Sequence, residues 1–264
     1  MLIDIGANLT NRSFAGDLEQ VLTRARAAGL ETIVVTGTSV EGSRQALEVA
    51  KEHPDILRCT AGVHPHDASS CDATTLEQLQ LLAKNPQVVA LGECGLDYNR
   101  DFSPRPTQLE WFEAQVTLAV EMGKPLFLHE RDAHGAFVEV VRRHRTDLTG
   151  VVVHCFTGGE TALRAYLDLD LHIGITGWIC DERRGQQLQD MVKDIPTERL
   201  MLETDSPYLL PRSRPKRQEP RARGRRNEPA FLPHIAATVA ALTGKSVDQV
   251  GEETSRTARL FFDL

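Results

Sequence analysis

Short runs of β-branched and apolar residues alternate along the whole chain with stretches whose apolar positions recur at helical spacing. Eight runs read as strands, at 2–9, 32–38, 57–64, 88–96, 125–131, 151–157, 171–179 and 200–206, each too short for a typical helix. Between them, Leu18, Val21, Leu22 and Ala25 recur at i, i+3, i+4 and i+7, and Leu109, Phe112, Val116 and Ala119 mark one face of a longer helix. Gly29 and Gly123 follow two of these segments, where a left-handed residue closes a helix. Strands separated by helices pair in parallel, and eight such units close into a ring. The expected fold is therefore α/β, a single (β/α)8 TIM barrel over residues 1–264. An open doubly wound sheet is the rival, weakened by the lack of G-x-G-x-x-G after the first strand. The one long connection of loop composition is 207–229, rich in Pro and Arg, and 230–242 and 247–262 read as closing helices.

Composition narrows the picture. With 264 residues, 41% of them hydrophobic, the chain can fill the core that a barrel of about 250 residues requires. No apolar run approaches the ~20 residues that cross a bilayer, and the start, MLIDIGANLT, lacks the flanks of a signal peptide, so a cytoplasmic protein without a membrane partner is expected. The five cysteines are scattered without a C-x-x-C pair, which argues for free thiols rather than a disulfide framework or zinc knuckle. A net charge of −7 argues, as an average, against a nucleic-acid binder. The average conceals a segregation: Arg212, Arg214, Lys216, Arg217, Arg221, Arg223, Arg225 and Arg226 crowd one segment against a single acid, Glu219.

Polar residues fall at the C-terminal ends of the apolar strands, the face where a barrel gathers its chemistry. Strand three runs into His64 and His66, strand four into Glu93, Asp97 and Tyr98, and strand five into His129 and Arg131. Strand six ends at His154, and strand eight at Glu203 and Asp205. Any one of these histidines is readily explained as a packed core residue. Four ionisable groups on four strands are not, because each alone would carry a desolvation cost that a shared divalent cation offsets. Asp97 and Asp132 sit further into loops and read as outer partners or turn residues.

These segments, DIGANLT, TAGVHPHD, ALGECGLDY, FLHERDAH, VHCFTG, GITGWICDERRG, LETDSPYLLPR and RRNEPAFLPHI, resemble the TatD family of metal-dependent deoxyribonucleases across nearly the whole chain. The resemblance implies a hydrolase-type barrel that degrades single-stranded DNA from its 3′ end, with RNA as an alternative. It also implies metal ligands at Glu93, His129, His154 and Asp205. The wider group of such barrels opens with an H-x-H pair on strand one, whereas Gly6 and Asn8 stand there in this chain. Weaker, oxygen-rich coordination follows, which suits Mg²⁺, with two ions possible and Zn²⁺ or Mn²⁺ able to substitute.

On this reading Glu93, His129 and His154 hold one ion, and Asp205, with Glu93, shares a second. Asp205 serves as general base toward the attacking water, and His64 or else His66 contacts the scissile phosphate. Asn8, His66, Arg131, Arg225 and Arg226 are the expected substrate contacts, and a monomer is expected. The Arg-rich segment starts on the same face as the metals, though a charge run is often only a solvated loop. Trp178 and Tyr98 can stack on a base, with rim packing the plainer role. Residues 181–184 are expected to open the seventh helix, and His234 to pack or face solvent. The rivals are an ester, lactone or amide hydrolase on the same scaffold, and a binding protein without catalysis.

Overall fold

The computed structural model describes residues 1–215 and 224–264. Eight strands, β1 (Leu2–Ala7), β2 (Leu30–Val35), β3 (Leu57–Ala61), β4 (Val88–Asp97), β5 (Leu126–Arg131), β6 (Val151–Val153), β7 (His172–Ile175) and β8 (Leu200–Leu202), lie in sequence order, each parallel to the next. The end of β8 returns to β1: Ala7 bridges to Ser206, Asp205 N donates to the Gly6 carbonyl at 2.8 Å, and Asn8 N to the Ser206 carbonyl at 2.7 Å. The result is a nearly closed barrel, as the alternating pattern predicts.

Helices α1 (Leu18–Ala27), α2 (Val40–Glu52), α3 (Thr75–Ala83), α4 (Arg105–Met122), α5 (His134–His144), α6 (Glu160–Asp168) and α7 (Gln186–Met191) follow the first seven strands, and α8 (Leu232–Thr243) and α9 (Val247–Phe262) follow the eighth. Local chemistry sets several boundaries. Ser39 caps α2 by accepting from Gly42 N at 3.0 Å, and Gly123, at φ +60°, closes α4. The buried face of α1 is Val21, Leu22 and Ala25, three of the four residues whose spacing announces it.

Two layers of core result. Most buried apolar residues lie between strands and helices. A smaller cluster inside the barrel joins Ile3, Ile5, Val34, Val89, Phe127, Val152 and Met201 to Ala258 and Phe262 of α9, so that α9 plugs the N-terminal end.

Several expectations need correction. Strands six and eight keep three residues each, with Cys155 and Asp205 at left-handed φ values of 47° and 51° beyond them, and strand seven ends at Ile175, before a 3-10 turn over Gly177–Cys180. The seventh helix begins at Gln186 rather than Asp181: the Asp181 carboxylate accepts from Arg183 N at 3.0 Å and folds a turn instead. The first closing helix starts at Leu232, after a 3-10 turn over Pro229–Phe231.

Candidate metal centre and active site

Four strand ends and two loops place the polar residues in one cavity at the C-terminal mouth. Glu93 reaches it through an irregularity in β4, where the register against β5 shifts between Gly92 and Cys94. Gly92 and Gly95 flank it at φ +130° and +140°. A Cβ on them would fall 2.0 Å from the Phe127 carbonyl oxygen and 1.9 Å from that of His129, so only glycine permits β4 and β5 this approach. The G-E-C-G segment is thus a backbone requirement around one carboxylate.

Glu93 is the hub. Its Oε1 lies 2.7 Å from His154 Nε2, 3.1 Å from His129 Nδ1 and 3.3 Å from His64 Nε2. His64, Glu93 and His129 offer ligand atoms all within 4.8 Å of one another, the spacing a bound ion needs. One imidazole has a hydrogen-bonded carboxylate on its other nitrogen, Glu203 Oε2 lying 3.3 Å from His154 Nδ1, while Asp97 Oδ2 lies 3.4 Å from His129 Nε2 without a hydrogen bond. Such backing turns one ring nitrogen toward a metal and raises its basicity. Beneath them Phe127 packs on the His154 ring, centroids 4.6 Å apart. On the opposite wall Asn8 Nδ2 donates to Asp205 Oδ1 at 2.9 Å.

The electrostatics are those of a site short of positive charge. The cavity, about 560 Å³, is lined by Glu41, Asp67, Glu93 and Asp205 among others, with no lysine or arginine among the described lining residues. Burial, with the charges of Glu93 and Glu203 adding to it against the pull of His154, pushes the Asp205 carboxyl up to about 7. Burial opposes ionisation of Glu93 as well, but His154 and His64 outweigh it and hold that carboxyl well below the usual range. Burial likewise opposes protonation of His154, and Glu93 and Glu203 overcome it, raising that ring well above its ordinary value. Burial also opposes protonation of His129, and Asp97 and Glu93 overcome it and raise that ring, whereas burial pushes His64 down. A divalent ion fits this donor set of imidazole nitrogens and carboxylate oxygens.

The positions expected to share a metal do share one cavity: Glu93, His129, His154 and Asp205 all line it, as do Asn8, His64 and His66. His64, expected as a phosphate contact, stands instead with Glu93 and His129 in the group whose spacing suits an ion, and His66 lies 2.6 Å from Asp97. Arg131, expected as a substrate contact, lines neither the cavity nor the groove beside it; its Nη1 donates to Thr157 Oγ1 at 2.9 Å. Arg225 is exposed on a neighbouring groove.

Arg226 corrects the expectation of a substrate contact. Its guanidinium is taken up by Asp17 at 2.8 Å and Glu228 at 2.6 Å, with the side chain only 8% exposed. Lys216, Arg217, Arg221 and Arg223 lie outside the described residues. Tyr98 is covered by the Arg105 guanidinium, 4.5 Å from its ring centre, and reads as packing. Asp132 pairs with Asn99 in a loop and stays away from the cavity.

The roles of two residues in this centre went unread in the sequence. Asp4, fully buried, accepts from Thr204 N at 2.8 Å and Thr204 Oγ1 at 2.6 Å, tying β1 to the segment that carries Asp205. The signal available was a charged residue within an otherwise apolar strand. Glu203 stood in plain view beside Asp205, but its role behind His154 depends on a partner 49 residues away.

Comparison with known proteins agrees with this geometry. The model of the family described as TatD related DNase matches residues 3–263. The chain belongs to the TatD family. A protein named 3′-5′ ssDNA/RNA exonuclease TatD from Edwardsiella piscicida is 49% identical over 263 residues, covering all of both chains. One of the same name from Rahnella sp. is 51% identical, covering all of this chain and 98% of its own. Among solved structures, a TatD homolog from Escherichia coli k12 superposes with a TM-score of 0.90 at 28% identity, covering 100% of this chain and 98% of that one. A TatD-family hydrolase from Entamoeba histolytica gives 0.89 at 28%, covering 99% and 97%. TatD proteins are metal-dependent, and the cluster around Glu93 is the candidate site in this one. No helix among the described residues is long and apolar enough to cross a membrane.

Proposed function

We propose that this protein is a metal-dependent exonuclease that removes nucleotides from the 3′ end of single-stranded DNA, with RNA as a second substrate, and that Mg²⁺ is its working ion. The observation that carries the reading is the cavity's charge: acids and imidazoles converge there without one lysine or arginine among the described residues. A phosphodiester cannot enter such a cavity unless a cation is there to meet it. The relatives named as single-stranded DNA and RNA exonucleases supply the substrate class.

Glu93, His129, His154 and Asp205 would hold the ion or ions, with His64 beside them. When bound, a divalent cation supplies Lewis-acid polarisation of the phosphoryl oxygens and neutralises charge that builds up during cleavage. The protein's own residues do the rest. Asp205, one oxygen fixed by Asn8, takes the proton of the attacking water. His64 reaches the scissile phosphate or its leaving oxygen. Glu203 keeps the His154 ring turned inward, and Asp97 lies beside the His129 ring.

The test is release of mononucleotides from 3′-end-labelled single-stranded DNA in Mg²⁺, beside a panel of esters, lactones and amides. Asp205→Asn, which keeps the shape and removes the base, is expected to lower kcat about 10²- to 10⁴-fold. Turnover of an ester with no release of nucleotides from DNA would overturn the nuclease reading.

A further inference from the structure

Beside the metal cavity lies a second groove of about 430 Å³, bordered by Trp178, Arg183, Arg184, Tyr208, Arg212 and Arg225 among others. Tyr208 borders both spaces, so the groove is a continuation of the site across one exposed phenol. The two differ in sign. The cavity has no basic lining residue among those described, whereas the described lining of the groove has four arginines and one acid, Asp181, which faces Arg184 at 2.9 Å and Arg183 at 3.8 Å, while Arg212 pairs with Glu182 at 2.8 Å.

The platform of this groove is held firmly relative to Asp205. Tyr208 N donates to the Asp205 carbonyl at 3.0 Å. Gly177 packs so tightly on the same segment that a Cβ would fall 2.1 Å from the Leu209 carbonyl oxygen. Trp178 N donates to Thr176 Oγ1 at 3.2 Å, which caps the short turn that carries the indole. The indole is partly exposed, with the Arg184 guanidinium 4.5 Å and the Arg131 guanidinium 5.9 Å from its ring centre. An aromatic face among exposed arginines is the arrangement that holds single-stranded nucleic acid, bases on the ring and phosphates on the cations.

We propose that this groove holds the nucleotides on the 5′ side of the scissile bond, with a base stacked on Trp178 and phosphates beside Arg183, Arg184 and Arg225. The proposal rests on the exonuclease reading above. An enzyme that removes single nucleotides from a 3′ end has one nucleotide beyond the scissile bond and the rest of the strand before it, so the strand must leave the cavity by a defined route. Another depression next to the cavity shares Ser39 and Glu41 with it and is a poor route. It has one arginine, Arg44, against Glu41 and Asp72, whereas the groove has four arginines against Asp181 and the neighbouring Glu182. A base stacking on Trp178 takes the place of the Arg184 guanidinium, which exchanges its bond to Asp181, 2.9 Å from its Nε, for the adjoining phosphate.

Binding of a fluorescein-labelled oligothymidylate of eight nucleotides, followed by anisotropy in EDTA, tests this without cleavage. Trp178→Ala is expected to weaken binding about 5- to 100-fold, with Trp178→Phe recovering most of the loss. Arg183→Gln combined with Arg225→Gln, at exposed positions that leave the fold intact, is expected to make the slope of log affinity against log salt shallower by about 0.7 for each phosphate no longer neutralised. Unchanged affinity in Trp178→Ala together with an unchanged salt slope in the arginine pair would overturn the groove. Addition of Mg²⁺ to the bound complex separates the two readings: a strand bound in the expected way and left uncut counts against the exonuclease assignment and leaves the groove standing.

Discussion

The two ends of the barrel are built from the same eight strands and meet opposite demands. At the N-terminal end the interior is closed by Ile3, Ile5, Val34, Val89 and Met201 against Ala258 and Phe262 of α9. Charges there stay at the periphery and are matched: Asp170 meets Arg145 at 2.9 Å and also Arg199, and Glu253 meets Lys245 at 2.6 Å. At the C-terminal end the same strands carry Glu93, His129, His154 and Asp205, with buried Asp4, Asp97 and Glu203 close by, and none of these acids pairs with a lysine or arginine among the described residues. Desolvated acids without fixed counter-charges reduce stability. One end is therefore selected for packing, while the other keeps an electrostatic debt that a cation and a polyanionic substrate settle together.

Removing the hub tests this contrast most severely. Glu93→Gln keeps the volume and removes the charge that three imidazoles share. Metal-dependent release of nucleotides is expected to fall about 10³-fold or more, since several kcal/mol of charge stabilisation is lost, while circular dichroism reports an unchanged fold. Retention of even a tenth of the activity would mean that the acids at the mouth are structural.

The mirror experiment is at the base. Met201 is fully buried in the inner cluster, and Met201→Ala is expected to cost about 2–5 kcal/mol by removing buried volume that the barrel cannot refill. Urea unfolding should show a lower midpoint with an unchanged slope, and kcat at 25 °C should stay within about twofold. A tenfold drop in kcat without loss of stability would dissolve the division between the two ends.

This division also explains what could be read in the sequence. Period-two and period-3.6 patterns record which face of an element is buried, so the eight strands, α1, α4 and the two closing helices were legible, and the plugging of the base by α9 was not. His129 and His154 were legible because each interrupts an apolar strand at its C-terminal end. Asp4 and Glu203 were not, because their roles are contacts across the barrel, to Thr204 and to His154, that no local pattern encodes. Arg226 was misplaced for a related reason: within a basic run it looks like its neighbours, but Asp17, more than 200 residues earlier, holds it. The start of α7 was misread because an aspartate before a helix and an aspartate closing a turn leave the same signature, and Asp181 does the second.

A weaker effect, dependent on pH, is expected at the base. His172 opens β7, its ring edge-on to Phe261 with centroids 4.8 Å apart and its Nε2 3.5 Å from Arg199 Nη1. Burial, and after it the charge of Arg199, pushes this imidazole down from 6.5 to about 4. The folded chain therefore favours the neutral ring, whereas the unfolded chain takes up a proton near 6.5. No penalty exists well above that value; it grows as the pH falls through 6.5 and is complete near 4. The full shift would correspond to about 3 kcal/mol, and partial exposure of the ring to solvent reduces the expected effect to about 1–2 kcal/mol. His172→Gln removes the titrating group. The unfolding free energies of the two proteins, compared at pH 7.5, 5.5 and 4.5, should then shift in the variant's favour as the pH drops. A difference that stays constant across that range would show that the base has no acid-sensitive group at β7.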